Sequence, residues 1–428
     1  MEIGTEKITG LVKFPPKKEI KNISLLKKAI DKTLTKTTSE TVETIMGGAI
    51  NLNASDVHVE PEEKKVKIRI RVDGVLQEIV DIDQKVYKGI LSRIKLLSGI
   101  KLNITDKAQD GRFSIGLEEF SMEVRVSTVP TEQGEAIVMR LLNPKSLIDL
   151  EQLGLRKDLL KIFEKETKRT TGMIIVTGPT GSGKTTTLYA FLKKIRNPEI
   201  KIVTIEDPVE YRLEGIVQTQ IEPAKGYTFA NGLRAIVRQD PDVILVGEIR
   251  DGETANIAIQ AALTGHLVLS TLHTNDAAGT IARLVNLEVK PYDIGPALNM
   301  VVAQRLVRKI CEKCKKMREA SDGEIEKLKK SFSPPPEGIE IPKIEKGLKI
   351  AQPVGCEDCN STGFKGRRGI YEIILFDDEM EKFILKEQSI AALRERAKER
   401  GMVTMYQDGL VKVLEGITTI EEVERVVS

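Results

Sequence analysis

The chain contains no tryptophan, and aromatic residues make up only 4% of its 428 residues. A surface that binds single strands by stacking needs such rings, so material for a base-reading platform is scarce. Neither charge dominates: 66 basic residues stand against 63 acidic ones, no general attraction to polyanions follows, and a nucleic-acid role would need a local patch. No apolar run approaches the ~20 residues of a membrane span, and the opening MEIGTEKITGLVKFPPKKEIKN lacks the apolar core of a signal peptide. These absences predict a cytoplasmic chain with no direct membrane insertion and no nucleic-acid partner. Cysteine is equally sparse. All four cysteines fall into two C-x-x-C pairs, which in a reducing compartment suggests a metal site rather than disulfides. What is plentiful is ordinary core material, 40% hydrophobic residues, and the length suggests two or three domains.

The stretch around which the chain is organised is Met173–Leu188, MIIVTGPTGSGKTTTL, an apolar strand running into a glycine loop that opens a helix. Gly178, Gly183, Lys184 and Thr185 fill the G-x-x-x-x-G-K-[ST] pattern. Gly178, Gly181 and Gly183 let the backbone turn successive N–H groups toward phosphate oxygens. Lys184 brings a compact positive charge to the β- and γ-phosphates, and the Thr185 hydroxyl suits the magnesium ion that bridges them. The helix start adds its positive dipole end. ATP with Mg2+ is the predicted ligand, against the bland alternative of a turn joining strand to helix.

Before this loop the pattern is that of a small α+β domain. Residues 1–37 read as an arm with Pro15-Pro16 and a short helix. Val42, Ile45, Met46 and Ile50 predict an amphipathic helix over Glu40–Leu52. Strands follow at Ser55–Glu60, Lys65–Arg71 and Val75–Val80, the last two joined by the turn signal Val72-Asp73-Gly74. A helix at Lys85–Leu97 and strands at Gly111–Leu117, Ser121–Thr128 and Gly134–Leu142 complete it. Asn143–Leu155 looks like a linker. Beyond it strands alternate with helices, the mark of a mostly parallel sheet, with strands at Met173–Thr177, Lys201–Glu206, Val243–Val246 and Leu267–Thr271. Helices are predicted after the glycine loop and near Phe229–Arg238, Glu253–Leu263 and Ala277–Leu284. A cysteine-bearing insertion covers about Arg305–Arg368, and the tail after Tyr371 reads as short helices.

Polar clusters sit at the carboxyl ends of these strands, where ligands of such sheets bind. Val243–Val246 ends in Gly247-Glu248, the form of a Walker B element. Glu206 also follows a strand, so Glu206 and Glu248 are rival candidates for orienting water. His266 and His273 bracket the strand Leu267–Thr271 and so mark its two ends rather than one metal site; a structural role is the alternative for each. Arg234 and Arg238 lie four apart on one helix face, and Arg125 and Arg140 lie on adjacent strands of the first domain. Guanidinium forks suit phosphate oxygens and can be supplied by a neighbouring subunit, although salt-bridge roles are open for each. Cys311, Cys314, Cys356 and Cys359 match a four-thiolate zinc site with no open position for catalysis; redox thiols or a disulfide pair are the minor alternative.

The combined string GPTGSGKTTTLYA, TIEDPVEY, LRAIVRQDPDVILVGEIRD and TGHLVLSTLHTNDA resembles the motor ATPases of type II secretion and type IV pilus assembly. SDVHVEP, RVDG, DGRF and VRVSTVPTEQGEAIVMRLL resemble that family's second N-terminal domain, and the likeness covers roughly residues 40–428. The resemblance implies a fold of the α/β class: a RecA-like P-loop ATPase domain (156–428), preceded by a PAS-like α+β domain (38–142), with a small zinc-binding insertion (305–370) and a C-terminal helical region. Residues 1–37 would be an arm and 143–155 a linker. It assigns Gly178, Pro179, Thr180, Gly181, Ser182, Gly183, Lys184, Thr185 and Thr186 to nucleotide binding, Glu206 to an acidic box, Glu248 to Walker B, and His266 and His273 to a histidine box. Arg125, Arg140, Arg234 and Arg238 match the family's phosphate-sensing arginines. A homo-hexamer hydrolysing Mg-ATP, peripheral at the inner membrane through platform proteins, is what it implies. The four-cysteine module, which the retraction motors lack, argues for export or extension. Residues 1–37 are too short for the family's further N-terminal docking domain. The rival classes are a RecA-like nucleic-acid motor, disfavoured by charge and aromatics, and a non-hydrolysing nucleotide-gated scaffold, disfavoured by the two acids.

Overall fold

The structure is a computed structural model that describes residues 11–12, 17, 19–117, 120–336 and 338–427. Of the predicted arm, residues 1–10, 13–16 and 18 lie outside the described residues. The chain divides into two compact units. One comprises residues up to Lys145 together with Cys311–Cys314 and Val354–Lys365; the other comprises Ser146–Ile310, Lys315–Pro353 and the residues from Gly366 on.

The first unit is built on a seven-stranded sheet of β1 (Leu11–Val12), β2 (Asp56–Pro61), β3 (Val66–Val72), β4 (Val75–Ile82), β5 (Gln109–Gly116), β6 (Ser121–Thr131) and β7 (Gly134–Leu142), in the order β1-β5-β6-β7-β2-β3-β4. β1 pairs parallel with β5, and the other neighbours are antiparallel. Helices α1 (Ile23–Thr33), α2 (Thr38–Asn51) and α3 (Gln84–Leu97) belong to the same unit. α2 starts where Thr37 and Glu40 exchange side-chain and backbone hydrogen bonds, a capping box that satisfies two orphan donors. The turn between β3 and β4 needs positive φ at both central residues, and Asp73 (50°) and Gly74 (83°) supply it. Alternation drives one face of the sheet into a core: Val57 and Val59 of β2 are fully buried, with Ile68, Val124 and Ile137 beside them.

The opposite face carries an alignment that periodicity along single strands does not show. Antiparallel register places Arg112, Arg125, Arg140, Asp56 and Arg71 directly opposite one another across β5, β6, β7, β2 and β3. Like charges opposed in this way repel. The carboxylate of Asp56 answers two of them, accepting from Arg140 Nε at 3.1 Å and lying 3.3 Å from Arg71 Nε.

The stretch expected as a linker holds two 3-10 turns, Pro144–Ser146 and Leu150–Leu153, the latter in the second unit. Leu150 and Leu153 are buried there. The sheet of the second unit contains β8 (Gly172–Thr177), β9 (Ile202–Glu206), β10 (Val217–Gln220), β11 (Val243–Val246), β12 (Leu267–Leu272), β13 (Leu298–Ile310) and a late strand, Phe364–Leu375, in the order β10-β9-β11-β12-β8-β13 followed by that late strand. The first six pair in parallel. Near-continuous apolar strands such as Met173–Val176 and Val243–Val246 are fully buried because helices cover both faces. α4 (Lys157–Glu166) and α5 (Lys184–Ile195) contribute to one core, while α6 (Phe229–Val237), α7 (Gly252–Leu263), α8 (Ala277–Asn286) and α9 (Pro291–Ala297) contribute to the other.

The main departure from expectation concerns the cysteine-bearing insertion. β13 and the late strand both enter the range Arg305–Arg368 and belong to the sheet. Leu298–Ala303 is an apolar run, but Arg305, Arg308 and Lys309 give the second half of β13 the look of a surface segment. Their side chains are half-buried, whereas Val307 and Ile310 are buried. Between these strands lie a two-stranded antiparallel ribbon, β14 (Lys316–Glu319) with β15 (Lys349–Gln352), and α10 (Asp322–Ser331). The late strand is thus β16, and α11 (Asp378–Lys386), α12 (Ile390–Glu399), α13 (Met405–Leu414) and α14 (Ile420–Val427) finish the chain as the predicted short helices.

Candidate nucleotide and metal sites

The glycine loop leaves the carboxyl end of β8 with Gly178, Gly181 and Gly183 at φ values of 144°, 81° and 91°, conformations that disfavour any side chain. Gly178 is doubly constrained. A Cβ there would come 2.5 Å from the Gln304 carbonyl oxygen. Lys184 is the first residue of α5 and folds back over the loop, its Nζ donating to the carbonyls of Gly178 (2.7 Å) and Pro179 (3.2 Å). Burial lowers the Lys184 pKa, with the carboxylates of Glu248 and Glu210 pulling the other way. The Ser182 hydroxyl is buried without a hydrogen-bond partner in the protein, while Thr185 and Thr186 are half-buried in the first helical turn and Thr180 is exposed. A cradle of positive-φ glycines, an ammonium aimed across it and an orphaned hydroxyl fit a bound phosphate chain with its metal ion.

Three neighbouring strand ends are stitched to this loop by hydroxyls. Thr177, the last residue of β8, donates to the Leu272 carbonyl at 3.1 Å and receives the Thr274 N–H at 2.9 Å, which fixes the segment carrying His273. Thr271 donates to the Gly247 carbonyl at 2.7 Å, and Ile249 N–H returns a bond to the Thr271 carbonyl at 3.0 Å, so the turn carrying Glu248 is tied down on both sides. Ser270 adds a buried bond to the Val246 carbonyl. Gly247 has no room for a side chain larger than its own hydrogen without pressing on Glu206 Cα, 3.2 Å from where a Cβ would sit. None of these hydroxyl residues is conspicuous as sequence, because the partners meet only through the parallel register Leu272↔Thr177 and Val246↔Ser270.

The two candidate acids are placed differently. Glu206, at the end of β9, is buried, and both of its oxygens are already engaged: Tyr189 donates at 2.5 Å, Thr204 at 2.6 Å and Gln218 at 3.3 Å. Burial raises its pKa, and those three donors hold back the rise. Glu248 lies 3.5 Å from His273 Nε2 and 2.6 Å from Arg250, with 14% of its side chain exposed. Burial first and then the Lys184 ammonium hold the His273 imidazole below its ordinary pKa, so at neutral pH it is a neutral ring with one N–H to donate. Lys184, Glu248 and His273 therefore form one polar group at the carboxyl ends of β8, β11 and β12.

The remaining predicted residues lie elsewhere. His266 sits before β12 at its amino end, its Nδ1 2.9 Å from the Ala261 carbonyl in the last turn of α7. Arg234, on α6, pairs with Glu253 and Asn231; Arg238 caps the end of α6 and is exposed. Arg125 and Arg140 belong to the first unit. Arg125 Nε meets Glu123 at 3.2 Å, and Arg140 keeps 54% of its side chain exposed while Asp56 holds its Nε. Arg112 and Arg71, which the sequence reading passed over, share their row.

The four cysteines converge. Their sulfurs all lie within 4.8 Å of one another, with Cys311 to Cys356 and Cys314 to Cys359 at 3.9 Å and Cys356 to Cys359 at 3.7 Å. A tetrahedral ion with Zn–S bonds of about 2.3 Å sets sulfurs ~3.8 Å apart, so the spacing fits zinc, and disulfides at about 2.05 Å are absent from these four. Backbone N–H groups of Gly355, Cys356 and Gly363 point at Cys314 and Cys359 sulfurs at 3.2–3.3 Å, as thiolate ligands require. Burial is the largest influence on Cys359 and raises its pKa, but these donors outweigh it and the net direction is down. Among the described residues no helix is long and apolar enough to cross a membrane.

Comparison with known proteins shows the family. The type II secretion system protein E of Pseudomonas aeruginosa is 45% identical over 388 residues, 90% of this chain and 74% of that protein. The type IV pilus assembly ATPase PilB of Myxococcus xanthus is 43% identical over 411 residues, 95% of this chain and 70% of that protein. Among solved structures, the pilus retraction motor PilT with bound ADP superposes with a TM-score of 0.58 at 27% identity, covering 90% of this chain and 96% of that one. The family profile described as type II/IV secretion system protein matches residues 32–425; by that match, and by the two relatives, the chain belongs to the type II/IV secretion system protein family.

Proposed function

We propose that the chain is a Mg-ATP hydrolase of the secretion and pilus-assembly class, working as a cytoplasmic homo-hexameric ring. In this reading it is recruited to the inner membrane by platform proteins and drives protein export or pilus extension. The observation that carries the proposal is the convergence of Lys184, Glu248 and His273 on one glycine cradle. Lys184 exchanges the Gly178 and Pro179 carbonyls for β- and γ-phosphate oxygens when ATP binds, and Thr185 offers its hydroxyl to the metal ion that neutralises developing charge. Glu248, paired with Arg250 and beside His273, is the acid at that point, placed to orient and deprotonate the attacking water. Glu206, saturated by Tyr189, Thr204 and Gln218, holds the end of β9 instead. His273, neutral, donates to the γ-phosphate and registers its loss.

Arg125 and Arg140 act on the nucleotide of a neighbouring copy in this reading, with Arg234 and Arg238 completing the charge around it. Asp56 supports that role by gripping Arg140 at Nε and leaving the terminal nitrogens open. ATP then favours one arrangement of the two units over another, and the difference in binding free energy does the work. The four thiolates would hold a zinc ion that closes the insertion as a structural clasp. Measurement of phosphate release from Glu248→Gln, Glu206→Gln and Lys184→Ala tests the assignment. Loss of a positioned general base costs on the order of 10²–10⁴ in rate, expected for Glu248→Gln and not for Glu206→Gln. Full hydrolysis by Glu248→Gln would reject the reading.

A further inference from the structure

Besides its internal bonds, from Lys184 Nζ and from the Ser182 N–H to the Pro179 carbonyl, the loop is braced from outside. Gln304 of β13, 1% exposed, stands one residue past the register pair Ala303↔Thr177, beside the point where β8 becomes the loop. Its side-chain amide makes two bonds of opposite sense: Nε2 donates to the Ser182 carbonyl at 2.6 Å, and Oε1 accepts from Thr187 Oγ1 at 2.7 Å. Its backbone carbonyl fills the space beside Gly178, and its Nε2 lies 3.0 Å from where a Cβ on Gly183 would be. Both ends of the loop therefore rest on this one residue.

The bond to Ser182 has a consequence for the ligand side. In a planar trans peptide the carbonyl and the following N–H point in opposite directions. Drawing the Ser182 carbonyl toward β13 aims the Gly183 N–H away from β13, into the cradle. We propose that Gln304 is a positioning residue for nucleotide binding: it sets the Ser182–Gly183 peptide so that an N–H, rather than a carbonyl, faces the phosphate. This rests on the glycine loop being the nucleotide site. Only an amide answers both partners. A carboxylate would keep Thr187 as donor and oppose an acceptor to the Ser182 carbonyl; a thioether of equal length would answer neither.

The test is binding of a fluorescent ADP to the full chain, with thermal midpoints of the nucleotide-free proteins measured alongside. Gln304→Glu and Gln304→Met are expected to weaken ADP at least tenfold. Thr187→Val, which removes the other bond of the same amide but leaves the peptide held, is expected to weaken it less than threefold. A merely structural role would make Thr187→Val and Gln304→Glu equally harmful, and that result, or ADP affinity within threefold of the parent for both Gln304 variants, would overturn the proposal. Should Gln304→Met fail to fold, Gln304→Glu, which retains the Thr187 bond, carries the comparison. Lys184→Ala separates the two readings. If it loses ADP while the Gln304 variants do not, only the positioning role falls; if it too binds ADP normally, the loop is not the nucleotide site.

Discussion

Glu422 on α14 offers a quantitative handle on how the sheet is braced next to the nucleotide loop. Its carboxylate, 1% exposed, receives the Arg308 N–H at 2.9 Å, Arg308 Nε at 3.1 Å and NH2 at 2.8 Å, and both Nε and NH2 of Arg425 at 2.8 and 2.6 Å. Burial alone would raise its pKa, but the two forks and the backbone donor bring it down from 4.5 to about 2. A folded-state pKa below the unfolded one means stability that is present above pH 4.5 and lost as pH falls toward 2. The difference of about 2.5 pKa units corresponds to roughly 3 kcal/mol at neutral pH, falling to roughly 1 kcal/mol by pH 3. Glu422→Gln should therefore unfold at lower urea concentration than the parent at pH 7, by about 3 kcal/mol divided by the common m-value. The gap should narrow steadily between pH 5 and pH 3. A gap below 1 kcal/mol at pH 7, or one that does not change with pH, would refute the reasoning.

Lys95 and Glu135 form a pair buried in the first unit, 2% and 4% exposed and 2.6 Å apart; Lys95→Met strands the carboxylate and should cost about 3–5 kcal/mol in urea unfolding, with a cost under 1 kcal/mol counting against a charged pair. Elemental analysis should find one zinc per chain, and Cys356→Ser should lose it and lower the thermal midpoint, whereas freshly purified protein free of metal would contradict the four-thiolate assignment. Arg140→Ala should slow phosphate release at least tenfold with ADP affinity within twofold, since the nucleotide's own cradle is untouched. Mixing it with Lys184→Ala should restore part of the hydrolysis if the guanidinium serves a neighbour, and activity no greater than the sum of the two would argue against supply from another subunit.

Element existence was readable wherever local signals agreed. The Asp73-Gly74 turn and the apolar runs of β8 and β11 each announce their structure within a few residues. The glycine loop and the acids after β9 and β11 were legible for the same reason. β13 was not, because three basic residues disguise a strand whose Val307 and Ile310 are buried, and its place is decided by the distant β8. The different surroundings of Glu206 and Glu248 were equally invisible, since two of the three donors that occupy Glu206 come from α5 and β10. Gln304, Thr177 and Thr271 act through register, and register is a property of two strands, not of one sequence window. Arg112 and Arg71 were missed similarly: their alignment with Arg125 and Arg140 exists only across strands.

β13 is a ruler as well as a support. In eight consecutive residues it sets an amide against the phosphate loop at Gln304, a fork against α14 at Arg308 and, immediately beyond its end, the thiol of Cys311. Adding or deleting a single residue between these marks would exchange inward and outward faces for everything downstream. Length variation among relatives should thus collect in the proline-bearing stretch after α10 and spare this strand entirely.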